Sequence, residues 1–404
     1  MARAAGRPVV RPGEVVTCRV DLAMMHDSGG PRRVRPMLER LGAKVWDASK
    51  VVVITDHYVP ASDEESRAIV RIARDWSREA GVGHFYNAEG ICHVVLPERG
   101  HLRPGMFAVG GDSHSTTGGA FAAYMFGIGA TEMLGVLVTG EIWLRVPETI
   151  VLQFDGRFAR GVAAKDAMLH LIGRFGMDAG RYQALEYRGE AIRALPMQER
   201  MTLCNMAAEL GAQAGLIASD GVTESYLSGS IEKLDSDRDA PVLEHHRFDA
   251  TALAPQVAAP HSPANAAPVG DFRGVKIDLA YLGACTGAKL ADLRMAAEVL
   301  RGNRATARLL VAPASARDQA AAAQEGTLGA LLAAGAELLP NACGMCAGYG
   351  EHLLPENAVA ISSTARNFKG RMGAASAQVY LASPYTVAAS ALAGSIRDPR
   401  EALA

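Results

Sequence analysis

Cys343 and Cys346 form a CxxC in ELLPNACGMCAGYG, and Cys285 lies 58 residues earlier in LAYLGACTGAKLADL. Each sits in a Gly/Ala-rich turn directly after an apolar, strand-like run. Small residues there let the backbone approach a bulky group and point amides at sulfur. A CxxC alone fits a metal or cluster site, a redox pair, half a zinc site, or buried structural thiols. Three cysteines with no obvious fourth ligand favour an iron–sulfur cluster with one open iron over closed four-coordinate zinc. Cys18, Cys92 and Cys204 have no partner at ligand spacing and read as small buried hydrophobes.

Acid–base chemistry has its own candidates. Asp56 and His57 follow the run KVVVIT. A carboxylate beside a histidine fixes its tautomer and raises its pKa, which suits it to protonate a departing hydroxyl. The plainer reading of such a pair is structural. Asp112, Ser113 and His114 spell DSH, but a hydrolase triad gains no support because GxSxG does not occur. Taken alone, His93 in EGICH reads as a core histidine and Glu209 in NMAAELGA as a helix-surface carboxylate. Arg366 and Arg371 lie five residues apart in ARNFKGR. They could clamp carboxylates bidentately or make surface ion pairs.

These residues need strands and helices to hold them. Lys50 to Thr55 and Met106 to Gly110 read as buried strands, with a helix from about Asp63 to Ala80 and a small-residue helix from about Ala120. Further helices fall near 163–175 and 197–214, and further strands near 276–284, 308–312 and 358–363. Strand–loop–helix alternation predicts an α/β fold with functional groups where strands end. The segment 235–269 turns rich in Ala, Pro, His and Asp and reads as a linker or long loop. The expected division is three α/β domains: 1–150, 151–272 and 273–404.

Composition excludes other classes. The 404 residues carry 41 Lys+Arg against 43 Asp+Glu, a net charge of −2, which argues against nucleic acid as a partner. Hydrophobic residues at 49% describe a globular enzyme rather than a disordered chain. There is no apolar run long enough for a membrane span and no secretory signal, and six cysteines are too few for a disulfide scaffold. The expected location is the cytoplasm.

Three segments resemble the aconitase family, most of all its 3-isopropylmalate dehydratase and homoaconitase large subunits. They are GGDSHSTTGGAFAAYMFGIGATEMLGVLVTGEIWLRVPETI (110–150), YLGACTGAKLADLRMAAEVLRG (281–302), and NACGMC with STARNFKGRMGAASAQVYLASPYTVAASALAG (341–394). ITDHYVPASDEES and EGICHVVLPE match as well. The resemblance implies an α/β fold of three aconitase-type domains around a [4Fe–4S] cluster held by Cys285, Cys343 and Cys346. It implies hydro-lyase chemistry on a hydroxy di- or tricarboxylic acid, foremost the isomerisation of 2- and 3-isopropylmalate through isopropylmaleate. It further implies active-site roles for Asp56, His57, His93, Asp112, Ser113, His114 and Glu209, with substrate binding by Arg366 and Arg371. His26 and Asp27 fall where relatives also carry polar residues, an alignment too loose to assign.

Full-length aconitases carry a fourth, swivelling domain that bears the serine base. The resemblance therefore implies a large subunit completed by a small subunit in trans. Many relatives have Asn where this chain has Gly287 and Ala365, which opens the substrate's side group to question. Homoaconitase and hydratases of dimethylmalate, citramalate or maleate are the alternatives within the class. An iron-responsive RNA-binding protein and a zinc-bound structural protein are the alternatives outside it.

Overall fold

A computed structural model gives the fold for residues 1–237 and 239–404. Three mostly parallel sheets follow one another along the chain. The first has the order His84–Asn87, Val51–Thr55, Leu22–His26, Phe107–Gly110, Tyr124–Gly127, all parallel. Leu22–His26 and Val51–Thr55 are buried at every position. Helices cover both faces of such a sheet, so its strands read as unbroken apolar runs. The helix Glu64–Glu79 starts where Asp63 accepts a hydrogen bond from Ser66 N at 2.7 Å.

The second sheet runs Ala214–Leu216, Ala184–Arg188, Thr149–Asp155, Glu244–Asp249, also parallel. The third has seven strands in the order Ala266–Pro268, Gln256–Ala258, Gln378–Ala382, Val359–Ser362, Leu279–Leu282, Arg308–Val311, Ala336–Leu338. Its last five are parallel and the first two antiparallel. In the first and third sheets the chain lays parallel strands to one side of the first parallel strand, then returns to the other. Leu22–His26 and Leu279–Leu282 therefore border topological switch points, and the crevice at their carboxyl ends is where α/β sheets bind ligands.

Two expectations change. The 235–269 segment is not one long loop. It supplies Glu244–Asp249 to the second sheet and two short strands to the third. Pro268 is tolerated because Ala266–Pro268 is an edge strand, where a missing N–H leaves no ladder bond unmade, and the segment's other prolines lie between strands. The helix expected from about Ala120 is instead a 3-10 stretch, Ser113–Phe121, then the strand Tyr124–Gly127 and the helix Ala130–Thr139. Gly119 explains the difference. A Cβ there would stand 1.6 Å from Gly215 O, so this glycine lets the first sheet's loop lie directly on the second sheet.

No described helix is long and apolar enough to cross a membrane.

Candidate active site

Two carboxylates organise the loop after Val51–Thr55. Asp27, at the end of the neighbouring strand, accepts from Asp56 N at 3.2 Å and His57 N at 3.1 Å on Oδ1, and from Tyr58 N at 2.7 Å on Oδ2. The turn so held aims Asp56 two ways. Its Oδ1 lies 2.6 Å from His57 Nδ1, and its Oδ2 accepts from Cys92 N at 2.7 Å, at the start of the helix Cys92–Glu98. Burial opposes charge on Asp56, yet His57, His26 and the Cys92 amide hold its pKa at about 2. Burial likewise opposes charge on His57, but Asp56 raises it to about 10. At neutral pH this is a buried ion pair with a proton on the imidazole.

A second cluster follows Phe107–Gly110. Asp112 Oδ1 lies 2.9 Å from His93 Nε2 and accepts from His114 N at 2.8 Å. Burial works against its charge, while His93, His114 and His26 hold it well below the usual carboxylate range. His114 Nε2 lies 2.9 Å from Glu209 Oε1, on the 3-10 turn Met206–Leu210 that leads into the second sheet's Ala214–Leu216. Arg366, in the loop after Val359–Ser362, donates through Nε to the same oxygen at 2.7 Å and through Nη2 to Ser113 Oγ at 3.0 Å. Burial opposes the Glu209 charge too, but His114 and Arg366 keep its pKa below the ordinary value.

The cysteines belong to the third sheet. Cys285 follows Leu279–Leu282, and Cys343 and Cys346 follow Ala336–Leu338. Cys343 N donates to Asp56 O at 2.8 Å, so the CxxC loop rests directly on the Asp56–His57 turn. Cys285 Sγ accepts from Asn205 Nδ2 at 3.2 Å. Burial pushes the Cys285 thiol up to about 12. The hydrogen bond from Cys343, then Arg371 and His114, draws Cys346 well below its usual range against the effect of burial. Arg371 Nε is buried without a partner among the described residues, as is Asn205 Oδ1.

The structure thus brings all twelve residues singled out from the sequence to one region at the carboxyl ends of the first and third sheets. Glu209 is not the helix-surface carboxylate that the plain reading offers, because it is 1% exposed. Two contributors escaped the sequence reading and a third was named without a role. Asn205, four residues before Glu209, reaches both Cys285 and Thr117 Oγ1, the latter at 2.8 Å. Lys165 Nζ is buried on Thr286 Oγ1 at 3.4 Å, Thr364 O at 2.6 Å and Ser363 O. His26, weighed but set aside, stacks on His57 with ring centroids 4.3 Å apart. Only the paired spelling HD at 26–27, echoing DH at 56–57, signals it.

Among the described residues two groups bring histidine and carboxylate atoms within 4.8 Å of one another: His26, Asp27, Asp56 and His57, and His93, Asp112 and His114. Neither includes a cysteine.

Comparison with known proteins places this geometry. Residues 6–394 match the aconitase family (aconitate hydratase). The chain is 42% identical to 3-isopropylmalate dehydratase large subunit 1 of Methanopyrus kandleri, over 99% of this chain and 97% of that one. It is 43% identical to the probable methanogen homoaconitase large subunit of Methanosarcina mazei, over 95% and 99%. Among solved structures, Thermococcus kodakaraensis aconitase X in its holo-form shares the fold with a TM-score of 0.53, at 15% identity, covering 87% of this chain and 84% of that one.

Proposed function

The chain belongs to the aconitase family and is a hydro-lyase, and from that premise we propose that it is the large subunit of an enzyme that interconverts 2- and 3-isopropylmalate through isopropylmaleate. The observation that carries this reading is the 2.8 Å bond from Cys343 N to Asp56 O. It seats the CxxC on the turn that bears a protonated histidine, so a metal group and a proton donor share one site.

The donor set fits a [4Fe–4S] cluster on Cys285, Cys343 and Cys346. Cys343 and Cys346 are in hydrogen-bond contact, Cys285 is close enough for its charge to act on Cys346, and Asn205 already donates to the Cys285 sulfur. When bound, such a cluster supplies a Lewis acid that polarises the substrate's hydroxyl. The chain's own residues do the rest. Arg371, with its buried Nε free, and Arg366, braced by Glu209, hold substrate carboxylates. His57, kept protonated by Asp56, delivers its proton to the departing hydroxyl, which leaves as water. Asp112 orients His93 and Glu209 orients His114, fixing which ring nitrogen faces the substrate. Ser113 Oγ steers the Arg366 fork. The proton on the neighbouring carbon goes to a base on a small subunit, which also reads the side group. The working compartment is the cytoplasm.

The test is anaerobic reconstitution with a cognate small subunit, followed by loss of the alkene band across isopropylmaleate, homoaconitate, dimethylmaleate, citraconate and maleate. Turnover of isopropylmaleate that vanishes in Cys343→Ser supports the reading. Turnover of homoaconitate alone would move the assignment to the second relative. No turnover by a loaded complex would overturn it.

A further inference from the structure

Asp27 is fully buried at the end of the central strand of the first sheet. It has no arginine or lysine partner among the described residues. Its carboxylate accepts from three consecutive backbone amides, those of Asp56, His57 and Tyr58, at 3.2, 3.1 and 2.7 Å, and its Oδ1 also lies 3.9 Å from His57 Nδ1. Successive N–H groups wrapped round one anion form a nest, which fixes the backbone of the residues that donate. The nested turn has two outputs. It directs the Asp56 side chain onto His57 Nδ1 and Cys92 N, and it directs the Asp56 carbonyl at Cys343 N. One carboxylate on one strand therefore sets both the bearing of the proton donor and the seat of the CxxC loop.

We propose that Asp27 is a positioning residue for the reaction, holding the 56–58 turn so that His57 and the Cys343 loop keep a fixed mutual placement. The inference rests on the hydro-lyase reading of the site. Asp27 touches no substrate in this scheme; it acts through its neighbours, by the amides it holds and by its carboxylate 3.9 Å from the His57 ring. Asparagine has the same shape but only one acceptor oxygen, and its NH2 group would face N–H donors. An acceptor must then be lost for at least one of the three amides.

The experiment compares Asp27→Asn with the parent chain, with Asp21→Asn as a control, since Asp21 flanks the other end of the same strand and its Oδ2 accepts from Phe107 N at 2.8 Å. Hydrogen exchange by mass spectrometry is read on the chain without its partner, and kcat and KM are read on the reconstituted complex. In Asp27→Asn, peptides spanning 54–60 are expected to exchange about 10-fold faster, while those of Leu22–His26 and Phe107–Gly110 stay protected. The expected kcat falls about 10- to 100-fold with KM changed less than about 2-fold, since misplacement of a reacting group acts on the chemical step. Unchanged exchange at 54–60, or unchanged kcat, would overturn the proposal. Faster exchange throughout the first sheet would overturn it as well, because it marks a general structural role. Should the parent complex turn over no alkene, the functional reading fails, and the exchange comparison still decides whether Asp27 holds the turn.

Discussion

Arg366 Nε lies 2.7 Å from Glu209 Oε1, the same oxygen that meets His114 Nε2 at 2.9 Å. A single carboxylate oxygen thus joins a cation from the third sheet's loop to an imidazole from the first sheet's loop. Glu209→Gln keeps the volume but removes the charge that both partners use. It is expected to lower kcat/KM about 10- to 100-fold, the usual cost of losing an orienting carboxylate. Part should appear in KM, because Arg366 loses its brace. Steady-state kinetics on the reconstituted complex checks this, and a change confined to kcat would show that Arg366 is held without Glu209.

Asp56→Asn tests the proton donor through pH. Burial alone depresses His57, and Asp56 is what raises it to about 10. A donor must be protonated, so activity falls as pH rises through its pKa. In the variant the alkaline limb of the kcat profile is expected to move down by several pH units, leaving activity at pH 6 and little at pH 8. An alkaline limb that stays in place would assign the proton to another group.

Removing the cluster should cost stability as well as activity. Lys165 Nζ sits fully buried among oxygens that carry no formal charge, with no carboxylate in contact, and burial draws its pKa down to about 7. Cys346 and Cys285 are among the few anionic groups near it. Thiolates tied to iron would supply that lysine with countercharge. The loaded chain is therefore expected to melt above the chelated one by about 5 °C, consistent with a ligand that binds only the folded state. Cys343→Ser should abolish both the difference and the visible absorbance expected of a loaded cluster. Equal melting temperatures before and after chelation would show that no folding energy comes from the group.

What the sequence revealed follows from what leaves a local pattern. Val51–Thr55 and Leu279–Leu282 were legible because a strand buried on both faces is an unbroken apolar run, and the chemistry sits one turn beyond it. The CxxC was legible for the same reason. Glu209 and His93 needed the family resemblance, since a lone carboxylate or histidine has no signature of its own. Asp27 could be named but given no role, and Lys165 was out of reach, because their partners are backbone groups 29 to 31 and 198 to 199 residues away. The Ala120 region misled because its small residues serve close approach between sheets rather than helix propensity.

Gly287 stands where the family resemblance leads to the expectation of Asn, and the structure gives a steric reason for its size. A Cβ there would fall 2.2 Å from both Cβ and Oγ of Ser363, and neither atom lies on a flexible arm. Ser363 Oγ accepts from Gly283 N at 3.0 Å and ties the Cys285 loop to the strand before Arg366. Gly287→Asn is thus expected to destabilise the chain by about 1–3 kcal/mol, as overpacking does. Adding Ser363→Gly should recover part of that loss. Thermal melts of both variants check this, and a single variant as stable as the parent would mean the loop shifts freely.

Glu199 gives a pH dependence of stability with a definite sign. It is buried, and its Oε1 accepts from Ala164 N at 2.8 Å at the head of the helix Ala164–Phe175. Burial, then the nearby Asp292 and Asp166, raise its pKa from 4.5 to about 7 against the Ala164 amide and Lys289. The folded chain therefore keeps a proton that the unfolded chain releases between those values. Stability from this group is present below the unfolded pKa and is lost as pH rises through about 7, by about 3 kcal/mol in all. Glu199→Gln retains an oxygen for Ala164 N and has nothing to titrate. Its melting temperature should fall less steeply than the parent's between pH 5 and pH 7.5. Parallel curves for the two proteins would mean that Glu199 stays charged in the folded chain, and Lys289, buried with its Nζ 2.7 Å from Asp292, would then be the cation that keeps it so.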